Sequence, residues 1–288
     1  TASASSNTTW IICTSPAGSA GAVAVKLSFS NGVDYTPTST TFTYYADQTV
    51  SSISPVNGGV GGGTNVTVTG SGFAGATQCK FGSTAVATAT VVNGQTVMCL
   101  SPVGSAGSVS VEVSQNGLDY TQDGVRFEYQ ATATVTAVYP VQGTDAGGTT
   151  LVVTGTNFAD GPLLYCKLGS LAASQGTWLS STSVRCVTPA SGSTGNATVQ
   201  ISNNNLDFVS GPNYRYLAAP TVAALSVATG PVRGGTVVSV SGTNFDVSGP
   251  SGYVKCLFGT REVTASASSN TTWIICTSPA GSAGAVAV

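Results

Sequence analysis

Six cysteines stand in three pairs, Cys79 with Cys99, Cys166 with Cys186 and Cys256 with Cys276, and the members of every pair are twenty residues apart. The first of each pair lies in QCKFG, YCKLG or KCLFG, the second in VMCLSP, VRCVTP or IICTSP. Thiols held at one spacing in repeated contexts either oxidise to disulfides or pack as reduced, buried groups. The constancy of the spacing favours disulfides, each closing a loop of about twenty residues and stabilising its domain by about 3 kcal/mol. That chemistry belongs to an oxidising, extracellular setting. Zinc is disfavoured, because two thiolates per domain without histidine do not complete a tetrahedral site. The seventh cysteine, Cys13, is a copy of Cys276, and its partner is expected upstream of the first residue.

Other reactive chemistry is sparse. The chain has no histidine, so a Ser/His/Asp or Cys/His nucleophile system does not assemble from it. The reading is a non-enzyme with no cofactor. Nine Lys and Arg stand against eleven Asp and Glu, and charged residues make up 7% of the chain where about 25% is usual. No basic cluster occurs, which argues against nucleic acid and anionic membrane surfaces as partners. No apolar run is long enough to span a bilayer.

Four N-x-T sequons occur, at Asn7, Asn65, Asn196 and Asn270. If Val66 and Val68 face inward, period-two alternation turns Asn65 outward, and Val199 with Ile201 does the same for Asn196. With so little charge and such Ser/Thr-rich loops, covalent N-linked glycan, with O-linked glycan beside it, is the expected solvating layer. Asp34, Asp119 and Asp207 recur in hairpins of the form NGVDY, NGLDY and NNLDF. They can ligate calcium at a domain junction, but no D-x-D cluster supports that, and carboxylates capping local turn amides are the preferred reading. Trp10, its copy Trp273, and Trp178 each precede the second cysteine of a pair; they either stack on sugars or pack over a disulfide, and packing is preferred.

The elements that carry these residues repeat. Three blocks open on Pro- and Gly-rich reversals, SISPVNGGVGGGT ending at Thr64, AVYPVQGTDAGGT ending at Thr149 and SVATGPVRGGT ending at Thr236. Each continues into an alternating strand ending NVTVTGSGF, LVVTGTNF or VSVSGTNF, then the cysteine pair. The complete blocks go on to a Gly/Ser turn, a further strand, the Asp hairpin and a closing aromatic strand at FEY or YRY. No stretch has the 3.6-residue period of an amphipathic helix, and short strands about every ten residues between Gly-rich turns predict an all-β chain of tandem β-sandwiches end to end. Expected boundaries are 1–47 for the late part of one domain, 48–132 and 133–219 for two complete domains, and 220–288 for the early part of another.

With these motifs the chain resembles the IPT/TIG immunoglobulin-like domains. The likeness rests on the Pro then GGT opening, GTNF at Gly155–Phe158 and Gly242–Phe245, the CKFG and C-x-T/S-P pair, and the N-G-x-D-Y hairpin. One block departs, with GSGF at Gly70–Phe73. The resemblance implies a compact antiparallel sandwich of about 85 to 90 residues per unit and implies little about activity.

Thr1–Val25 recurs without substitution as Thr264–Val288, an offset of 263 residues. Neither end reads as a biological terminus, and the chain is expected to sample slightly more than one period of a longer polymer; accidental duplication of the segment is the alternative. In the polymer, residues 26–46 supply the late strands of the domain that starts at residue 220. The expected function is a structural protein of an extracellular fibre or filament, disulfide-stapled and glycosylated, whose partners are further copies of itself. The alternative is an adhesive or receptor ectodomain binding protein or carbohydrate, and a third possibility is an accessory region of a carbohydrate-active enzyme.

Overall fold

The computed structural model describes residues 9–83, 85–247, 254–266 and 269–288, so the sequon at Asn7 lies outside the described residues. Among them, regular structure is almost entirely strand, with a single 3-10 turn at Phe73–Gly75. The chain forms two compact units, one of Thr1–Val56 with Asn65–Glu128, the other of Asn57–Thr64 with Tyr129–Val288.

In the first unit, Asn65–Ser71 pairs antiparallel with Thr49–Ser54 on one side and Thr96–Leu100 on the other. Gln78–Phe81 pairs antiparallel with Gly107–Ser114. Between these two sets runs the long strand Ala85–Asn93, whose first half pairs with Gln78–Phe81 and whose second half pairs with Thr96–Leu100. Alternation decides the core: Val66 and Val68 sit opposite Cys99 and Val97, Cys79 and Phe81 sit opposite Val113 and Val111, and all eight are buried. Phe81 and Phe127 meet edge to face, centroids 5.4 Å apart. This unit also holds the strands Gly21–Ala24 and Thr41–Tyr44, which among the described residues pair only with each other and stay largely exposed.

The second unit contains a two-layered sandwich. One sheet has the order Thr134–Tyr139, Thr150–Thr156, Ser183–Val187, Thr177–Ser180; the other runs Gln142–Thr144, Val209–Leu217, Gly195–Ser202, Tyr165–Leu168, Ser174–Gln175. Gln142–Thr144 is parallel to its neighbour. Leu151, Val153 and Val184 from the first sheet meet Leu168, Val199, Ile201 and Tyr214 from the second in one core, where each fully buried apolar side chain is worth about 1.5–3 kcal/mol. Gly176 separates two short strands where the first unit has one continuous strand. A Cβ there would lie 3.0 Å from Val184 Cγ1 and 3.1 Å from Cys166 Sγ, so the chain passes from sheet to sheet pressed against the core.

Residues beyond 220 form a three-stranded sheet, Thr221–Leu225, Val237–Thr243 and Trp273–Thr277, and a pair, Lys255–Phe258 with Arg261–Thr264. Among the described residues its buried core is Val240, Phe245, Cys256, Ile274 and Cys276, which is smaller than the core of the preceding sandwich.

The G-[ST]-[GN]-F motif has one local cause in all three blocks. A Cβ on Gly155 would fall 1.8 Å from the Thr134 carbonyl oxygen and 2.6 Å from Phe158 Cζ, and Gly70 and Gly242 are equally enclosed. Two residues on, Gly72, Asn157 and Asn244 have φ of 75°, 58° and 60°. That left-handed conformation admits glycine or asparagine at low cost, so GSGF and GTNF are interchangeable solutions.

Candidate functional site

The cysteines bridge strands of different pairing sets. Cys166 on Tyr165–Leu168 is bonded to Cys186 on Ser183–Val187, one from each layer of the sandwich, with Cα atoms 6.0 Å apart. Cys79 is bonded to Cys99 and Cys256 to Cys276, with Cα separations of 6.2 and 6.4 Å. All six are buried. Cys13 is exposed and free. A bond across the layers restricts the unfolded chain and ties two faces whose association otherwise rests on apolar packing.

Asn65 and Asn196 are exposed at the start of their strands, open to modification of the amide nitrogen. Asn270 is half-buried and its Oδ1 accepts from the Thr272 amide at 2.9 Å, the Thr272 hydroxyl at 3.1 Å and the Trp273 amide at 3.0 Å. Its oxygen is thereby turned inward onto the turn.

The hairpin residues behave differently from the sequence expectation. In NNLDF it is Asn204, through Oδ1, that accepts from the Leu206 and Asp207 amides at 3.0 and 2.8 Å. Asn116 does the same for Leu118 and Asp119, both at 2.9 Å. The asparagine also donates through Nδ2 to its own aspartate, at 2.8 Å to Asp207 and 2.7 Å to Asp119. An amide side chain offers both an acceptor and donors where a carboxylate offers acceptors alone; the turn role therefore falls to asparagine and the carboxylate reaches out. Within the second unit Asp207 Oδ2 receives the Thr64 hydroxyl at 2.6 Å, and Asn204 Nδ2 also reaches the Asn57 carbonyl at 3.1 Å. The Asn-x-x-Asp spacing at Asn116/Asp119 and Asn204/Asp207 was the available signal for this arrangement; in the third hairpin with that spacing, Asn31/Asp34, the Ser30 hydroxyl accepts from the Asp34 amide at 2.8 Å instead.

Trp178 lies on Thr177–Ser180 and donates its indole N–H to the Phe158 carbonyl at 3.1 Å. Trp273 is three positions before buried Cys276 on one strand, so alternation turns it to the opposite face from that sulfur. Trp10 is exposed. Burial raises the hydroxyl pKa of Tyr129, and it raises that of Tyr216, where Tyr214 adds to the effect. Tyr45 is raised by burial and then by the nearby charges of Asp119 and Asp47. Among the described residues no three of His, Cys, Asp and Glu converge, and no helix is long and apolar enough to cross a membrane.

A family model for the IPT/TIG domain matches residues 49–129, 133–216 and 220–288. This chain belongs to the IPT/TIG domain family. The IPT/TIG repeats are similar to Fibrocystin-L of Mus musculus, 30% identical over 246 residues, and to Fibrocystin-L of Homo sapiens, 27% identical over 252. Each alignment covers 82% of this chain and only 6% of the relative, so the chain spans a small part of those proteins. A solved structure of the full extracellular region of plexin A4 is 20% identical, covering 83% of this chain and 21% of that one with a TM-score of 0.44.

Proposed function

We propose that this chain is a structural segment of an extracellular fibre, in which IPT/TIG sandwiches follow one another along a polypeptide with a 263-residue period. The observation that carries this reading is the unaltered recurrence of Thr1–Val25 as Thr264–Val288. Sequence identity over twenty-five residues goes beyond what a shared fold demands, whereas continuous periodicity accounts for it directly. The small last core and the exposed pair Gly21–Ala24 with Thr41–Tyr44 are complementary parts of one sandwich in this reading. Buried disulfides and N-linked glycan at Asn65, Asn196 and Asn270 suit such a fibre to an oxidising exterior. Further copies of the chain are its partners, and its role is non-catalytic. Electron microscopy of native material tests the reading: a beaded fibre with three domains per axial repeat is expected, and isolated compact particles would overturn it.

A second reading, an adhesive module, is favoured by a cleft of about 340 Å³ in the first unit lined by Phe42, Tyr44, Tyr45, Asp119 and Tyr120. Binding of soluble glycans or peptides, lost on Tyr45→Ala, tests it.

A further inference from the structure

The second unit contains one joint with all its parts. The Asn57–Thr64 loop, the linker 130–133 and the hairpin around Asn204 and Asp207 close upon one another, leaving about 60 Å³ between them. Thr64, at the end of the loop, is 1% exposed beneath the Asp207 carboxylate that accepts its hydroxyl.

The same parts recur incompletely elsewhere. In the first unit the linker Tyr44–Gln48 and the hairpin residues Asn116, Asp119 and Tyr120 border the cleft of about 340 Å³, and none of the described residues lining it belongs to a Gly-Gly-Thr loop. Asp119 is held by Asn116 as Asp207 is held by Asn204. In the second unit Gly143 and Thr144, Leu217 that pairs with Thr144, and the linker residues Ala218 and Pro220 line a cavity of about 200 Å³, and none of the described residues along it belongs to an Asp hairpin. Thr149 and Thr236, the counterparts of Thr64, remain half-buried.

We propose that the first-unit cleft receives the Gly230–Thr236 loop of the preceding period of this chain, with the Thr236 hydroxyl donating to the Asp119 carboxylate. Two observations select that loop. The cleft carries Asp47 and Asp119; of the three loops, TGPVRGGT alone holds a cation, the exposed Arg233, whereas the loop ending at Thr149 holds Asp145 and the loop ending at Thr64 holds no charge. Opposite charges within a few ångströms select partner and register more than they add affinity. Independently, whatever precedes Thr264 in the sequence precedes Thr1 in a continued period, and that is the block containing Gly230–Thr236. The joint rests on the periodic reading above and adds to it a defined contact between one period and the next.

The test is amide hydrogen exchange over residues 115–121 in an array of two consecutive periods, compared with the 288-residue chain. In the array, half of this peptide population is expected to exchange about tenfold more slowly, since one hairpin has an upstream loop and the other has none. Thr236→Val or Asp119→Asn, introduced in both periods, returns all of it to the fast rate. Within the 288-residue chain, Asp207→Asn and Thr64→Val speed exchange over 203–208 by a similar factor, while Thr64→Ser does not, which separates loss of the bond from loss of the fold. Uniform fast exchange in the array, or slow exchange that survives Asp119→Asn, overturns the joint. So does slowing by free glycans without any difference between array and chain. A protected hairpin without native fibres would keep the joint and overturn the filament; fibres without protection would do the reverse.

Discussion

Asn204 holds Asp207 at both ends of its amide: Oδ1 accepts the Asp207 N–H at 2.8 Å and Nδ2 donates to Asp207 Oδ2 at 2.8 Å. One side chain thus shapes the turn and aims the carboxylate that receives Thr64. Asn204→Ala removes an acceptor from two amides and a donor from a charged group, and is expected to cost about 2–3 kcal/mol. A lowered urea midpoint at unchanged slope checks it. Asn204→Asp keeps the acceptor but sets two carboxylates together, and should be no milder.

The disulfides predict a specific thiol inventory. Non-reducing peptide mapping should recover Cys79 linked to Cys99, Cys166 to Cys186 and Cys256 to Cys276, with Cys13 alkylated in the unreduced chain. Removing one bond by a Cys186→Ala, Cys166→Ala pair should destabilise its sandwich by about 2–4 kcal/mol. Free thiol at Cys79 or Cys186 in native material would contradict the extracellular reading.

Gly155 and Asn157 lie in one motif but should respond differently. Gly155→Ala drives a methyl into the Thr134 carbonyl, 1.8 Å from the new Cβ, and is expected to lower stability by more than about 2 kcal/mol. Asn157→Gly keeps the left-handed backbone and loses only the Nδ2 bond to the Thr132 carbonyl at 2.8 Å, a loss of about 1 kcal/mol. Thermal melts of the two variants should rank them in that order.

Intact-mass measurement of native protein should show added hexose-containing mass, removed from Asn65 and Asn196 by enzymatic deglycosylation. A mass equal to that of the bare chain would leave the low-charge surface to be covered by a protein partner instead.

Alkaline titration follows from Tyr129 and Tyr216, whose hydroxyls are raised by burial in the folded chain. A raised folded pKa means that the native state retains protons the unfolded state has released. The stability they contribute is complete below the ordinary tyrosine range near pH 10 and is lost as pH rises through the folded values. Unfolding followed by phenolate absorbance should therefore steepen above about pH 10, and Tyr216→Phe should reduce that dependence.

Much of the fold was legible in the residues themselves. Period-two alternation placed Val66, Val68, Val199 and Ile201 inside, and they are fully buried, because a strand half covered by another sheet has only one face to hide. The repeated GGT, GTNF and hairpin motifs announced tandem IPT/TIG sandwiches, since each motif answers a local demand: positive φ, close approach or a turn. Tertiary structure decided what no local demand specifies. That Ala85–Asn93 serves both pairing sets depends on which strands lie alongside each half, and those strands are fixed by partners far along the chain, Gln78 opposite Ser114 and Val66 opposite Cys99. That Asp207 reaches out to Thr64 instead of capping its own turn depends on a segment 143 residues distant. Local propensity had already been satisfied by Asn204; only the packing of the Asn57–Thr64 loop against the hairpin could show what the freed carboxylate binds.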